Sequence, residues 1–125
     1  MMKDLHTVLP ALDLDRARSF YHDKLGMDPS EERAGTMVFH PFPGATFEIY
    51  ETPNAGTAQN TQMGWVTDDL DGEMSVMRGH GVVFEEYDFP GMKTVNGVVE
   101  DDMMRSAWFR DSEGNFICVS QRAGA

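Results

Sequence analysis

The chain has one cysteine, Cys118, and three lysines among its 125 residues. A single thiol rules out an intramolecular disulfide framework and fits a reducing compartment, so a cytoplasmic location is expected. Ten basic side chains stand against 21 acidic ones, for a net charge of −11. A surface of that sign repels a phosphate backbone, so no nucleic-acid partner is expected. Long apolar runs are missing as well. No stretch approaches the roughly 18 apolar residues of a bilayer-crossing helix, and no membrane span is expected. The opening MMKDLHTVLP places Lys3 and Asp4 before a very short apolar stretch, unlike a signal peptide. Low-complexity segments and long linkers are absent too. The most polar loop, TPNAGTAQN at 52–60, lies near the middle. The apolar content that remains, 41% of residues, still allows a packed core. The acidity has two readings, a solvated surface that keeps the protein soluble or a groove that attracts a cation. The first is preferred, because net charge speaks to solubility before it speaks to sites.

The order of local signals repeats. In the first half HTVLPAL reads as a strand. Asp13 offers a helix N-cap, and Leu14, Ala17, Phe20, Tyr21 and Leu25 share one helical face before Gly26 closes the helix. MDPSEER is at most an edge strand because of Pro29, and GTMVFHPF and ATFEIYE are strands joined through Pro43–Gly44. In the second half QMGWVT is a strand, Asp69 a cap, and Leu70, Met74 and Met77 a helical face ended by Gly81. VVFEEYDF is then expected as a strand, PGMKTVNGVVEDD as a loop or hairpin, and SAWFR and NFICVSQ as strands around the tight turn DSEG, with Gly114 left-handed. The DLD at 13–15 returns at 69–71, and the two helix-ending glycines keep nearly the same separation. This is the mark of an internal duplication. The expected fold is α+β: one domain over 1–125 built from two tandem βαβββ modules, about 3–52 and 61–122, forming a curled mixed sheet around a cleft. A half-sized sheet with one helix would be marginal alone, and a shared cleft is the natural ligand site.

The duplication also pairs positions. His6 stands seven residues before Asp13, and Gln62 seven before Asp69; Glu48 stands four after Gly44, and Cys118 four after Gly114. His6, Glu48, Gln62 and Cys118 are thus equivalent in pairs. A lone carboxylate among the apolar residues of FEIY is costly unless it has a partner, and His6 is the natural one. Cys118 in FICVS reads first as a small buried hydrophobe, since no activating neighbour is evident. Phe20, Tyr21, Phe47 and Phe109 are expected in the core. Phe39, Tyr50, Trp65, Trp108 and Phe116 are candidates for lining the cleft, with strand parity subject to slips at bulges. His22, His40 and His80 are assigned solvated or structural places.

HTVLPALDLDRARSFYHDKLGM, WVTDDLDGEMSVMRGHGVVF and AWFRDSEGNFICVSQ together resemble the vicinal oxygen chelate superfamily, which includes glyoxalase I, extradiol dioxygenases, fosfomycin-resistance enzymes and bleomycin-resistance proteins. The resemblance covers nearly the whole chain and implies the fold above and a homodimer. In metal-dependent members the four paired positions carry His, Gln or Glu around a divalent metal that polarises vicinal oxygens of the substrate. His6 and Glu48 match that pattern, Gln62 is tolerated, and Cys118 stands where a glutamate belongs. A thiolate is a soft ligand, and a thiol is a poor base for a carbon acid. No metal is therefore favoured; if a divalent ion such as Zn, Ni, Mn or Fe were bound, its candidate ligands would be His6, Glu48 and Gln62. The expected function is small-molecule binding of the bleomycin-resistance type without a metal. The alternatives are a metal-dependent lyase, isomerase or dioxygenase-like enzyme of the glyoxalase type, and metal-free proton transfer by His6 and Glu48 as catalytic pair. The ligand contacts expected in either case are Phe39, Tyr50, Gln62, Trp108 and Cys118.

Overall fold

The computed structural model describes residues 1–124, which fall into two compact units. The first comprises Met1–Gln59 together with the short segment Asp111–Asn115; the second comprises Asn60–Arg110 and the chain from Phe116 onward. Each unit carries one helix and one four-stranded sheet, so the architecture is α+β with two βαβββ-like modules, as the sequence predicts.

The first unit runs β1 (Thr7–Ala11), α1 (Leu14–Leu25), β2 (Glu31–Arg33), β3 (Thr36–Phe39) and β4 (Phe47–Glu51), with sheet order β1-β4-β3-β2. Only the β1–β4 pairing is parallel. Asp13 caps α1 by accepting from the Arg16 N–H at 3.0 Å. Gly26, at φ 66°, ends it by donating its N–H back to His22 O. Residues alternate between the sheet faces. Leu9, Ala11, Met37, Phe39, Phe47 and Ile49 are all buried, with Ala17 and Tyr21 of α1 buried alongside them. Phe39 stacks on Phe47 with centroids 4.7 Å apart, and Tyr21 meets both rings at 5.4 and 5.7 Å. Each large side chain buried here stabilises the unit by about 1.5–3 kcal/mol. The opposite face carries Val8, Pro10, Thr36, Val38, Glu48 and Tyr50, because Val8 and Val38 both pair with Glu48, and Pro10 and Thr36 with Tyr50.

The segment 111–115 fastens this unit from far along the chain. Glu113 Oε1 accepts the N–H groups of Leu12 and Asp13 at 2.9 and 3.0 Å; Oε2 accepts from Arg16 Nε and the Ser112 hydroxyl, each at 2.8 Å. Burial alone pushes the Glu113 carboxyl up, but the bonds from Arg16, Ser112 and the Asp13 N–H, with the Arg16 charge, leave it below the usual range. Asp111 accepts from the Tyr21 hydroxyl at 2.7 Å and from Asn115. There burial dominates, and the carboxyl stays raised despite those bonds. Gly114, left-handed at φ 84°, passes so close to Gly56 that an added Cβ would lie 3.2 Å from its Cα.

The second unit runs β5 (Thr61–Val66), α2 (Leu70–Gly79), β6 (Asp88–Phe89), β7 (Met92–Lys93), β8 (Val99–Glu100), β9 (Met104–Arg110) and β10 (Phe116–Arg122). Its main sheet has the order β5-β10-β9-β8, and β6-β7 form a separate hairpin. Asp69 caps α2 by accepting from the Gly72 N–H, and the helix gives way to His80 and the left-handed Gly81. Leu70, Met74 and Met77 are buried, as their spacing predicts. A bulge interrupts β5: Phe116 pairs with Thr61 but Ile117 with Met63, so Gln62 is the extra residue. Its amide oxygen accepts the Phe116 N–H at 3.0 Å.

One expected strand is corrected. VVFEEYDF does not join the sheet as a strand; it touches β9 through a single bridge, Phe84 to Phe109, and its end is drawn into the β6–β7 hairpin. The reason is the Pro90–Gly91 turn, with Gly91 at φ 84°, which closes residues 88–93 on themselves. The Thr94 hydroxyl seals that departure by accepting the Tyr87 N–H at 2.8 Å. The short β8 fills the edge instead. No helix among the described residues is long and apolar enough to cross a membrane.

Three stability predictions rest on these contacts. Glu113→Ala strips a buried acceptor of two backbone N–H groups and should cost about 1.5–3 kcal/mol, read from urea unfolding at neutral pH. Because the folded-state pKa of Glu113 is lowered, its contribution is complete above the ordinary glutamate pKa and is lost as pH falls through the folded value. Glu113→Gln should accordingly flatten the loss of stability across that acid window. Gln62→Ala leaves the Phe116 N–H without this partner and should cost about 1–2 kcal/mol in the same assay.

Candidate functional site

The first unit brings His6 and Glu48 together. His6 Nε2 lies 2.5 Å from Glu48 Oε2, just before β1 and beside the strand that carries Glu48. The pairing follows from register: Val8 is opposite Glu48 in the parallel β1–β4 ladder, and His6 is two residues earlier, on the same face by strand parity. The other carboxylate oxygen, Glu48 Oε1, accepts from Arg33 Nη2 at 2.8 Å. Arg33 also stands 3.6 Å from Glu31. The Glu48 side chain is 15% exposed, against 38% for His6 and 57% for Arg33. A half-covered carboxylate is thus held between an imidazole and a guanidinium, and both its oxygens are engaged.

Arg33 is the residue that reading the sequence misses. The signal for it is the Ala34–Gly35 turn, where Gly35 takes φ 75°. That turn fixes Arg33 opposite Thr36 and Glu31 opposite Val38, which puts Arg33 on the face of Glu48 and Tyr50. Tyr50 lies on this face and is 42% exposed, next to the half-exposed Val8 and to Pro10. Phe39 does not: the placement expected for it is corrected. Its neighbour Val38 takes the open face, so Phe39 points the other way and is buried in the aromatic core.

The remaining candidates belong to the second unit. Trp108 and Cys118 are directly opposite each other on β9 and β10. Trp108 donates from Nε1 to the Thr61 hydroxyl at 3.0 Å and meets Tyr87 edge-on. Burial pushes the Cys118 thiol up, a hydrogen bond with Ser106 opposing it in part, so it is held as the thiol. Gln62 occupies the bulge, with its amide oxygen on the Phe116 backbone. Trp65, past that bulge, packs on Phe109 of the core rather than on the open face, while Phe116 lies under the Arg110 guanidinium at 5.6 Å. Among the described residues no three His, Cys, Asp or Glu side chains gather as a ligand group.

With that geometry in place, comparison with known proteins is informative about descent. Solved structures share the fold over nearly their whole length. An antibiotic-binding protein from Streptomyces sp. CB03234, TnmS3, is 21% identical with a TM-score of 0.73, covering 98% of both chains. A glyoxalase/bleomycin resistance protein from Catenulispora acidiphila DSM 44928 is 24% identical with a TM-score of 0.67, covering 96% of this chain and 98% of the other. An integron cassette protein from the mobile metagenome of Vibrio cholerae is 25% identical with a TM-score of 0.62, covering 97% and 98%. No protein with a curated description matches the sequence. A family model matches residues 5–119, and the chain belongs to the Glyoxalase/Bleomycin resistance protein/Dioxygenase superfamily.

Proposed function

We propose that this protein binds a small organic molecule without a metal, in the manner of the bleomycin-resistance branch of its superfamily. The observation that carries the reading is the closure of the His6–Glu48–Arg33 chain. A hard divalent cation needs free oxygen and nitrogen lone pairs. Here Nε2 of His6 and both oxygens of Glu48 already have partners, and the guanidinium bonded to Glu48 adds a permanent positive charge that repels a cation. The fourth family position is a thiol pushed away from its metal-binding thiolate form. The donor set does not fit a chelated ion, and no step is assigned to one.

The open face of the first sheet supplies what a binding site needs instead. It offers exposed apolar and aromatic surface at Val8 and Tyr50 beside fixed polar groups. That TnmS3 is an antibiotic-binding protein supports the reading as analogy of fold. The proposal extends to a homodimer in the cytoplasm, on family resemblance and the single thiol.

The decisive measurement is metal content after purification without chelators, followed by calorimetric titration with zinc, nickel and manganese. No stoichiometric uptake is expected. Tight one-to-one binding that disappears in His6→Ala and Glu48→Ala would sink the proposal in favour of a glyoxalase-type metalloenzyme. A thermal-shift screen against aromatic small molecules should yield stabilising ligands. One present at 100 times its Kd adds about 2.7 kcal/mol. Light scattering on the same preparation should give the mass of two chains.

A further inference from the structure

The His6 ring has two nitrogens, and only one is used. Nε2 is committed to Glu48, while Nδ1 has no partner among the described residues, and the side chain is 38% exposed. In neutral imidazole one nitrogen donates and the other accepts. The Glu48 carboxylate accepts only, so the ring proton belongs on Nε2, a tautomer assigned from the bonding pattern. In the neutral ring Nδ1 then presents a lone pair. Arg33 keeps Glu48 in place from the other side and answers its charge.

This defines what the open face recognises. A carboxylate or ether oxygen brings only lone pairs and would meet Nδ1 with repulsion. A cation would be opposed by Arg33, and Glu31, the other nearby carboxylate, is itself within 3.6 Å of that guanidinium and 62% exposed, so its pull is screened. A neutral hydroxyl suits both conditions. An acidic one, on an aromatic ring or an enol, makes the stronger bond, and an aromatic ring can spread over the exposed Val8 and Tyr50. We infer that His6 Nδ1 is the specificity-determining acceptor for a phenolic or enolic ligand, with Glu48 as the positioning residue that fixes its tautomer. The inference rests on the small-molecule-binding reading above.

The test uses matched probes. 2-Naphthol and 2-methoxynaphthalene share a ring system, and methylation removes only the donor. Both are titrated into ¹⁵N-labelled protein, following the amides of β1 and β4 and the ring nitrogens of His6; 2-naphthylmethylammonium and 2-naphthoate serve as charged controls. The expected result is that 2-naphthol binds about tenfold more tightly than its ether, the 1.4 kcal/mol of one good hydrogen bond. The Nδ1 resonance should move with 2-naphthol alone, and His6→Phe should bring the two affinities together. His6 lies outside the core and its replacement leaves the fold in place, which the unchanged amide spectrum of the variant checks. Equal binding of naphthol and ether, a preference that survives His6→Phe, or tighter binding of either charged control overturns the inference and leaves the binding reading standing. If neither naphthalene shifts the β1 and β4 amides, the inference falls; the binding reading falls with it only if the ligand screen is also empty.

Discussion

The first unit depends on one buried carboxylate. Glu113 comes from a turn about a hundred residues beyond the segment it holds, yet it takes the backbone N–H groups of Leu12 and Asp13 and the guanidinium of Arg16. Those groups lie at the join between β1 and the start of α1, where helix N–H groups lack partners of their own and the positive end of the helix dipole favours an anion. Asp13 caps the helix locally; Glu113 completes the cap from a distance. Asp111 and Asn115 extend the same fastening to Tyr21 and to the carbonyl of Pro10. Fixing β1 and α1 in this way fixes the strand next to β4, and with it the place where His6 meets Glu48.

In that meeting both oxygens of the Glu48 carboxylate are already taken. A glutamate with a free oxygen is a metal ligand or a base. A glutamate bonded on one side to imidazole and on the other to guanidinium has both oxygens engaged, and the metal-free proposal rests on that. The difference is made by Arg33, on an exposed edge strand. Guanidinium is permanently charged, so Arg33 both occupies the second oxygen of Glu48 and answers its charge. In the other module Cys118 is held as the thiol, at a position where the family resemblance implies a carboxylate.

How much of this was legible follows the range of the signals. Caps, helix faces and the duplicated order are local or periodic, and Asp13, Gly26, Asp69, Ala17, Tyr21, Met74 and Met77 behave as their spacing predicts. The His6–Glu48 pairing was readable because a repeat aligns the positions and a half-buried carboxylate demands a partner. Three things were hidden. Parity has no fixed origin in a strand whose ends the sequence does not mark, and Phe39 falls on the core face rather than the open one. The bulge at Gln62 has no local mark, and Trp65, two residues after the buried Met63, lies on the core side of β5. The role of 111–115 was hidden most deeply: DSEG announces a turn, but its partners at Leu12, Asp13, Arg16 and Tyr21 are about ninety to a hundred residues away.

The acidic composition takes on a narrower meaning in this light. Arg16, Arg18, Arg33, Arg105 and Arg110 each hold at least one carboxylate, so half of the chain's ten basic side chains are engaged in ion pairs. The surplus is carboxylate in solvent, where it is screened and favours solubility. At the open face of the first sheet the one half-buried carboxylate is matched by Arg33. Net charge therefore does not choose the ligand there. What remains to choose it, on the reading proposed above, is a single ring nitrogen whose other side is held by Glu48, on the sheet face that also carries the exposed Val8 and Tyr50. Selectivity of that kind separates a donor from an acceptor of the same size and shape, because the wrong partner leaves two lone pairs opposed. The duplication supplies this acceptor once, since the position equivalent to His6 is Gln62, and its amide oxygen holds the backbone of β10. The two modules keep one fold and divide its uses, the first orienting a polar group toward solvent and the second turning the same position inward to close a bulge.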